Sequence, residues 1–144
     1  MSTSPLAARR DLLAAVLDSL VPAGDGFPAG SVAVEHVLAT AAVSSDVASL
    51  LERALAAIDD VPGAFARLGA DERERVLGRV EETHGAPFDA LVRHTYDGYY
   101  SHPAVLGRLG LEPGPVQPRG HRIESTALPD LGRVVARGPV YRPA

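Results

Sequence analysis

Hydrophobic residues recur at helical spacing from the start of the chain to Leu111, and prolines and glycines interrupt them at short intervals. Ser4-Pro5 is typical of a helix start, an N-cap residue followed by proline at the first helical position. The apolar stripe that follows ends at Pro22 and consists of Leu13, Val16, Leu17, Leu20 and Val21. A loop then covers residues 23–30, and Ser31 is expected to cap a second helix that runs to about Ala42.

The later segments repeat this alternation of helix and breaker. A third helix is predicted from Ser45, with an apolar stripe formed by Val47, Leu50, Leu51, Ala54, Leu55 and Ile58. A short turn at 64–68 precedes a helix over about 71–83, which is acidic at its start, as the helix dipole favours. Gly85 is predicted to end that helix, Pro87 to lie in the first turn of the next one, and Pro103 to start a last turn or two up to Gly110.

The pattern therefore predicts an all-α fold. Residues 1–111 are expected to form a compact domain of about five or six short helices, because strand-like alternation is missing before position 120. Residues 112–144, here called the C-terminal arm, have a different character and hold 6 of the 12 prolines. Such a segment cannot form a long helix or a central strand, yet its Leu and Val content is too apolar for a solvated linker. We expect an extended arm that lies along another surface, either of a partner or of this domain.

Composition excludes several classes of function. The chain of 144 residues has no cysteine, which rules out disulfides, thiol nucleophiles and Cys-ligated metals. Its net charge of −4 gives no basic field for nucleic acid. Its apolar runs are shorter than the ~20 residues that span a bilayer, so direct membrane insertion is not expected.

Arg9-Arg10 superficially resembles a twin-arginine export signal. The apolar region after it is interrupted by Asp18, and no site of the signal-cleavage type follows before Pro28. The same residues fit an amphipathic helix, with both arginines near its exposed side. We expect this segment to be part of the fold, and the protein to be cytoplasmic.

The histidines do not have metal-ligand spacing. The chain contains His36, His84, His94, His102 and His121. No two of them have the His-x-x-x-His spacing that places two ligands on one helical face. His94 and Asp97 are three residues apart and are expected to meet on one helix, as a solvated or hydrogen-bonded pair. We therefore predict neither a catalytic residue nor a metal or cofactor site on this chain.

The sharpest local feature is the stretch from His94 to Pro103, where three of the four tyrosines fall within five residues around Gly98. Tyrosine combines an apolar ring with a hydroxyl that needs a partner, which favours it at interfaces and pocket rims. Spacing of three residues predicts that Tyr96 and Tyr99 share a face and that Tyr100 points elsewhere. One aromatic face is then core and the other contacts a partner.

Three blocks of sequence together resemble the gluconate 2-dehydrogenase subunit 3 family. The first is the opening helix with its loop, residues 13–30. The second is Phe65-Ala66-Arg67-Leu68, followed by a charged helix and Phe88. The third and most specific is Thr95-Tyr96-Asp97-Gly98-Tyr99-Tyr100-Ser101-His102-Pro103, with Gly107, Leu109-Gly110 and Pro113-Gly114-Pro115 after it. The similarity covers roughly residues 10–118.

The resemblance implies a small, non-catalytic subunit that stabilises or matures a large FAD-dependent sugar or alcohol dehydrogenase of the glucose–methanol–choline type. The flavin and the catalytic histidine would belong to that large subunit, and no cofactor would be bound here. Many members have a separate twin-arginine signal and a cytochrome partner. Arg9-Arg10 lies inside the opening helix instead, so a cytochrome partner is not expected. The predicted interface is Tyr96, Gly98, Tyr99, Tyr100, His102, Pro103, Pro113, Gly114 and Pro115.

Two other hypotheses stay open from the residues. The chain could be a stand-alone helical binding module whose arm folds over its own core. It could also be a small enzyme built on His94, Asp97 and His102.

Overall fold

The computed structural model describes residues 5–112 and 131–138, and it divides the chain into two units, residues 1–114 and 115–144. In the first unit the described helices are α1 (Pro5–Ala8), α2 (Arg10–Leu20), α3 (Val34–Val43), α4 (Ser45–Asp59), α5 (Ala70–Thr83), α6 (Gly85–Ser101) and α7 (Pro103–Arg108). Two 3₁₀ helices, Gly30–Ala33 and Phe65–Arg67, precede α3 and α5. Within the described residues no strand forms, and the predicted all-α fold is confirmed.

The predicted helices are all present, and the first of them is divided in two. Arg9 leaves helical geometry (φ −104°, ψ 25°), and its N–H donates to the carbonyl of Leu6 at 3.1 Å. The turn allows α1 to lie against α4 with Leu6 fully buried. Both arginines of the Arg9-Arg10 pair are thus part of the helical domain: Arg9 forms the turn and Arg10 starts α2.

The start of α3 differs from the prediction in the residue that caps it. The Ser31 side chain makes no capping bond there. Instead the Ser31 backbone N–H donates to a carboxylate oxygen of Asp18 at 2.7 Å. A carboxylate from α2 therefore satisfies a free donor at the start of the next helix, as a local cap would.

The junction of α5 and α6 also corrects a predicted cap. Gly85 is the first residue of α6, and His84 is the C-cap of α5, with φ −134°. No left-handed residue is needed at this junction, so glycine has no conformational advantage. Pro87 lies in the first turn of α6, as predicted, and its missing N–H costs no helical hydrogen bond there.

α7 is short and capped at both ends. Its C-terminal end is a Schellman motif, in which the N–H of Leu111 donates to Leu106 O at 2.9 Å and that of Gly110 donates to Gly107 O at 3.2 Å. Gly110 has φ +73°, the left-handed conformation that this motif requires and that glycine adopts without strain.

The core lies between α4 and α6, which pack against each other most extensively, with α2, α3 and α5 around them. Its fully buried large apolar side chains come from six helices and comprise Leu6, Leu13, Val16, Leu17, Val37, Leu51, Leu55, Ile58, Leu91 and Val105. Every buried side-chain nitrogen or oxygen in the described part of the chain has a hydrogen-bond partner. α6 thus has a fixed orientation in the domain, which matters because it carries the tyrosines.

In the second unit the described residues form one helix, α8 (Gly132–Arg137), which the sequence did not predict. Apart from Glu112 and residues 131–138, the predicted C-terminal arm lies outside the described residues. Leu131 and Val135 are exposed there, at 52% and 76%.

Candidate partner-binding surface

Tyr96 and Tyr100 form an exposed pair on α6. Their side chains are 43% and 55% exposed, and their rings stack with centroids 6.1 Å apart and an interplanar angle of 29°. The two residues are four apart, so they lie nearly above one another on the helix surface. This tyrosine pair is one of the few places in the described first unit where large apolar side chains face solvent.

Tyr99 faces the interior of the domain, with 4% of its surface exposed. Its hydroxyl donates to the carbonyl of Pro28 at 2.8 Å, and its ring meets that of Tyr100 edge to face at 5.4 Å. Burial raises the pKa of the Tyr99 phenol above its ordinary value, and the neighbouring Tyr100 adds a smaller contribution. The predicted pairing of Tyr96 with Tyr99 on one face is therefore wrong: Tyr96 shares its face with Tyr100.

Gly98 is buried where α6 crosses the start of α3. A methyl group at this position would lie 2.8 Å from Cβ of His36 and 3.0 Å from Cβ of Ala33. Both of those atoms are attached directly to backbone and cannot rotate away. Gly98 therefore permits the close approach of the two segments, and this role is internal to the domain.

His102 and Pro103 form the start of α7. The backbone N–H of Ala104 donates to Nδ1 of His102 at 3.3 Å, which makes this histidine the N-cap, and Pro103 occupies the first helical position. His102 is half-buried and Pro103 is exposed. Of the predicted interface residues that the structure describes, Tyr96, Tyr100 and Pro103 are thus open to a partner, while Gly98 and Tyr99 are buried. Pro113, Gly114 and Pro115 lie outside the described residues.

The loop of residues 22–30 is attached to α6 and α7. Its tip is a tight turn in which Asp25 and Gly26 have φ 50° and 79°, closed by two backbone hydrogen bonds between Gly24 and Phe27. Positive φ at both central residues is the signature of a type I′ turn. Arg108 of α7 donates to Asp25 O at 3.0 Å, and its guanidinium lies 5.8 Å from the centre of the Phe27 ring.

Together with the Tyr99–Pro28 hydrogen bond, these contacts join the first and third blocks of the family resemblance. The hydrogen-bonded residues are 71 positions apart for Tyr99 and Pro28 and 83 positions apart for Arg108 and Asp25. A single sequence gives no direct signal for this contact. Arg108 in particular was not predicted, since nothing near it in the sequence marks it as a partner of the loop.

The second block is an internal anchor. Phe65 is buried at 2% exposure, and the Arg73 side chain donates to the carbonyls of Phe65 at 3.2 Å and Ala66 at 2.5 Å. The guanidinium also lies 5.6 Å from the centre of the Phe65 ring, within the range of a cation–π contact. This block fixes the entry into α5 and presents no chemistry of its own.

His94 and Asp97 meet as the spacing predicted. Nδ1 of His94 lies 3.5 Å from a carboxylate oxygen of Asp97, and Asp97 is more than half exposed. His102 is engaged in capping α7 and has no contact with that pair among the described interactions. No group of three or more His, Asp or Glu side chains that could hold a metal ion occurs in residues 5–112 or 131–138.

Arg10 and Glu35 form an ion pair between the start of α2 and the start of α3. The hydrogen bond and the charge of Arg10 lower the pKa of Glu35, and Glu35 in turn raises the pKa of Arg10. Both side chains face solvent, so the pair contributes little to stability. It marks Arg10 as a surface residue of the domain.

Comparison with protein-family models, with curated proteins and with solved structures finds no match for this chain. Among the helices that the structure describes, none combines the length and the hydropathy needed to cross a bilayer.

Proposed function

We propose that this chain is a non-catalytic small subunit that binds and stabilises a large FAD-dependent sugar or alcohol dehydrogenase of the glucose–methanol–choline type. The flavin and the reacting groups lie on the large subunit, and the complex is cytoplasmic, without a cytochrome subunit. The sequence resemblance supplies the partner's identity. The observation that carries the binding role is the exposed tyrosine pair on α6.

The tyrosine pair has the properties of an interface anchor. Tyrosine is enriched at the centres of protein interfaces, where its ring supplies apolar area and its hydroxyl a hydrogen bond. Tyr96 and Tyr100 already stack on each other, and α6 is held in the core by Tyr99. Few rotamers are therefore lost when a partner covers them, which lowers the entropic cost of binding.

The tyrosine pair is too small to be the whole interface. A tyrosine buries about 150–250 Å², so the exposed parts of the two rings together offer on the order of 200 Å². A stable interface buries about 800 Å² on each partner. The remaining area has to come from neighbouring surface, such as Pro103, or from the C-terminal arm.

A large subunit that binds this domain only when folded gains stability by mass action, about 2.7 kcal/mol when the small subunit is present at 100 times its Kd. This effect requires no chemistry on the small subunit. It explains how a chain without a recognised catalytic motif would still be needed for an active dehydrogenase.

The test is co-expression of the tagged chain with a FAD-dependent dehydrogenase large subunit from the same genome, followed by size exclusion read at 280 and 450 nm. We expect the chain to elute with flavin absorbance, and the variant Tyr96→Ala/Tyr100→Ala to elute alone. Val43→Ala is the matched control, because Val43 is 87% exposed on α3 and lies outside the proposed surface. A wild-type chain that elutes as a colourless monomer beside the flavoprotein would overturn the proposal and favour a stand-alone module.

A further inference from the structure

A second surface of the first unit has a different chemistry from the tyrosine pair. A groove of about 650 Å³ runs between α4 and α5, a volume within the usual range for small-molecule sites. α4 contributes Arg53 and α5 contributes Arg79, so each wall carries one arginine. A smaller groove of about 310 Å³ adjoins it, shares Arg53, and adds Arg9 and the carboxylate of Glu52.

These three arginines, like Arg67 and Arg93, have no side-chain partner in the described first unit, whereas the other four arginines there do. Arg10 pairs with Glu35, Arg73 binds two carbonyls, Arg75 donates to Asp71 O, and Arg108 donates to Asp25 O. For Arg9, Arg53 and Arg79, no ion pair or side-chain hydrogen bond occurs within the described part of the chain. Their five N–H donors each are available to a ligand.

The rest of the lining narrows the ligand's chemistry. Ala56, Ala57, Val61 and Pro62 give the larger groove an apolar component. Asp60, its one carboxylate, and His84 are the C-cap residues of α4 and α5, so the carbonyl ends of both helices line the groove and add partial negative charge. The overall charge of the groove therefore attracts anions only weakly. Guanidinium groups instead favour carboxylate and phosphate groups, which accept two parallel hydrogen bonds.

We propose that the groove between α4 and α5 binds a small carboxylate or phosphate compound through Arg53 and Arg79. Asp60 accepts a hydrogen bond from a hydroxyl or amine on the same ligand. Arg9 extends the site into the adjoining groove. This site is independent of the proposed subunit role, because it shares no residue with the tyrosine pair.

The experiment measures thermal unfolding of the full chain with added sodium phosphate, sodium citrate or sodium chloride at equal ionic strength and pH 7. We expect phosphate or citrate to raise Tm in a saturable way and chloride not to. An anion that acts through Arg53 and Arg79 loses at least tenfold in apparent affinity in Arg53→Gln/Arg79→Gln. The choice between phosphate and citrate shows which of the two chemical classes the groove prefers.

The matched control is Arg67→Gln/Arg93→Gln, which removes the same charge from two exposed arginines outside both grooves. It should keep the wild-type response. Circular dichroism establishes that both double variants are folded. The proposal is overturned if neither anion exceeds the effect of chloride, or if the two double variants respond equally.

Discussion

Gly98 and Gly78 lie inside two helices of the same domain, and their surroundings predict opposite effects of alanine. Replacing glycine by alanine within a helix is worth about 1 kcal/mol of stability, because glycine loses more backbone entropy on folding. At Gly78 in α5 an added methyl group meets nothing within 4 Å. We therefore expect Gly78→Ala to stabilise the domain by about 1 kcal/mol.

At Gly98 the same gain is opposed by a steric clash. The new methyl group would lie 2.8 Å from Cβ of His36 and 3.0 Å from Cβ of Ala33, so α6 and the start of α3 have to separate. Overpacking of a core costs about 1–3 kcal/mol. The net effect of Gly98→Ala is a destabilisation of about 0–2 kcal/mol. Its free energy of unfolding should therefore be about 1–3 kcal/mol lower than that of Gly78→Ala.

Urea denaturation at 25 °C, followed by circular dichroism at 222 nm, measures both variants against wild type. Unchanged m values are required, because they show that the free energies compare the same two states. Because both variants replace glycine by alanine within a helix, the gain in helix propensity cancels in the difference between them. That difference therefore reports the contact of α6 with α3. If Gly98→Ala stabilises the domain as much as Gly78→Ala, the close approach of α6 and α3 is refuted.

Three further substitutions test single contacts. Tyr99→Phe removes the hydrogen bond to Pro28 O and should cost about 1 kcal/mol in urea denaturation at pH 7. Burial raises the pKa of Tyr99, so the unfolded chain releases this proton at a lower pH than the folded chain does. Wild-type stability should therefore fall as the pH rises through about 10. In the same assay, the stability of Tyr99→Phe should fall less between pH 8 and about 11. Ser44→Ala removes the cap that accepts from Val47 N–H and should lower stability by about 1 kcal/mol, whereas an unchanged urea midpoint would contradict capping. Gly26→Ala places a side chain at φ +79° against Arg108 and should lower Tm by several degrees; equal thermal melts would disprove the turn geometry.

The helices were predictable because periodicity and breakers act locally. In α4 the predicted stripe contains Leu51, Ala54, Leu55 and Ile58, and all four are buried. The break at Pro62-Gly63 after this helix, the acidic first turn of α5 and the position of Pro87 depend only on neighbouring residues. Ordinary rules of helix formation therefore give most of the first unit.

The orientation of the tyrosines was not predictable from local spacing alone. On a helix, residues three apart differ by about 60° and residues four apart by about 40°, so Tyr96 is near both Tyr99 and Tyr100. Whether Tyr99 or Tyr100 shares the solvent-facing side of Tyr96 depends on where the boundary of the core falls. That boundary is set by the contact of Gly98 with His36 and Ala33, which comes from a segment about 60 residues earlier in the chain.

The other errors have the same origin. The cap on the start of α3 comes from Asp18 on α2, and the loop of residues 22–30 is held by Arg108. Both contacts are tertiary, and neither has a signature in the neighbouring sequence. The sequence could therefore propose the segment from Tyr96 to Pro103 as a candidate site, while its division into buried and exposed residues required the structure.

The hydrogen bonds from Tyr99 and Arg108 to the loop of residues 22–30 affect the order in which the chain folds while it is being synthesised. A ribosome makes the acceptors, the carbonyls of Pro28 and Asp25, 71 and 83 residues before the donors that bind them. At a translation rate of about 5–20 residues per second, the loop emerges several seconds before α7. During that interval the nascent chain holds an opening helix whose following loop lacks its final contacts, and the N-terminal part of the domain reaches its native form only after Arg108 has left the exit tunnel.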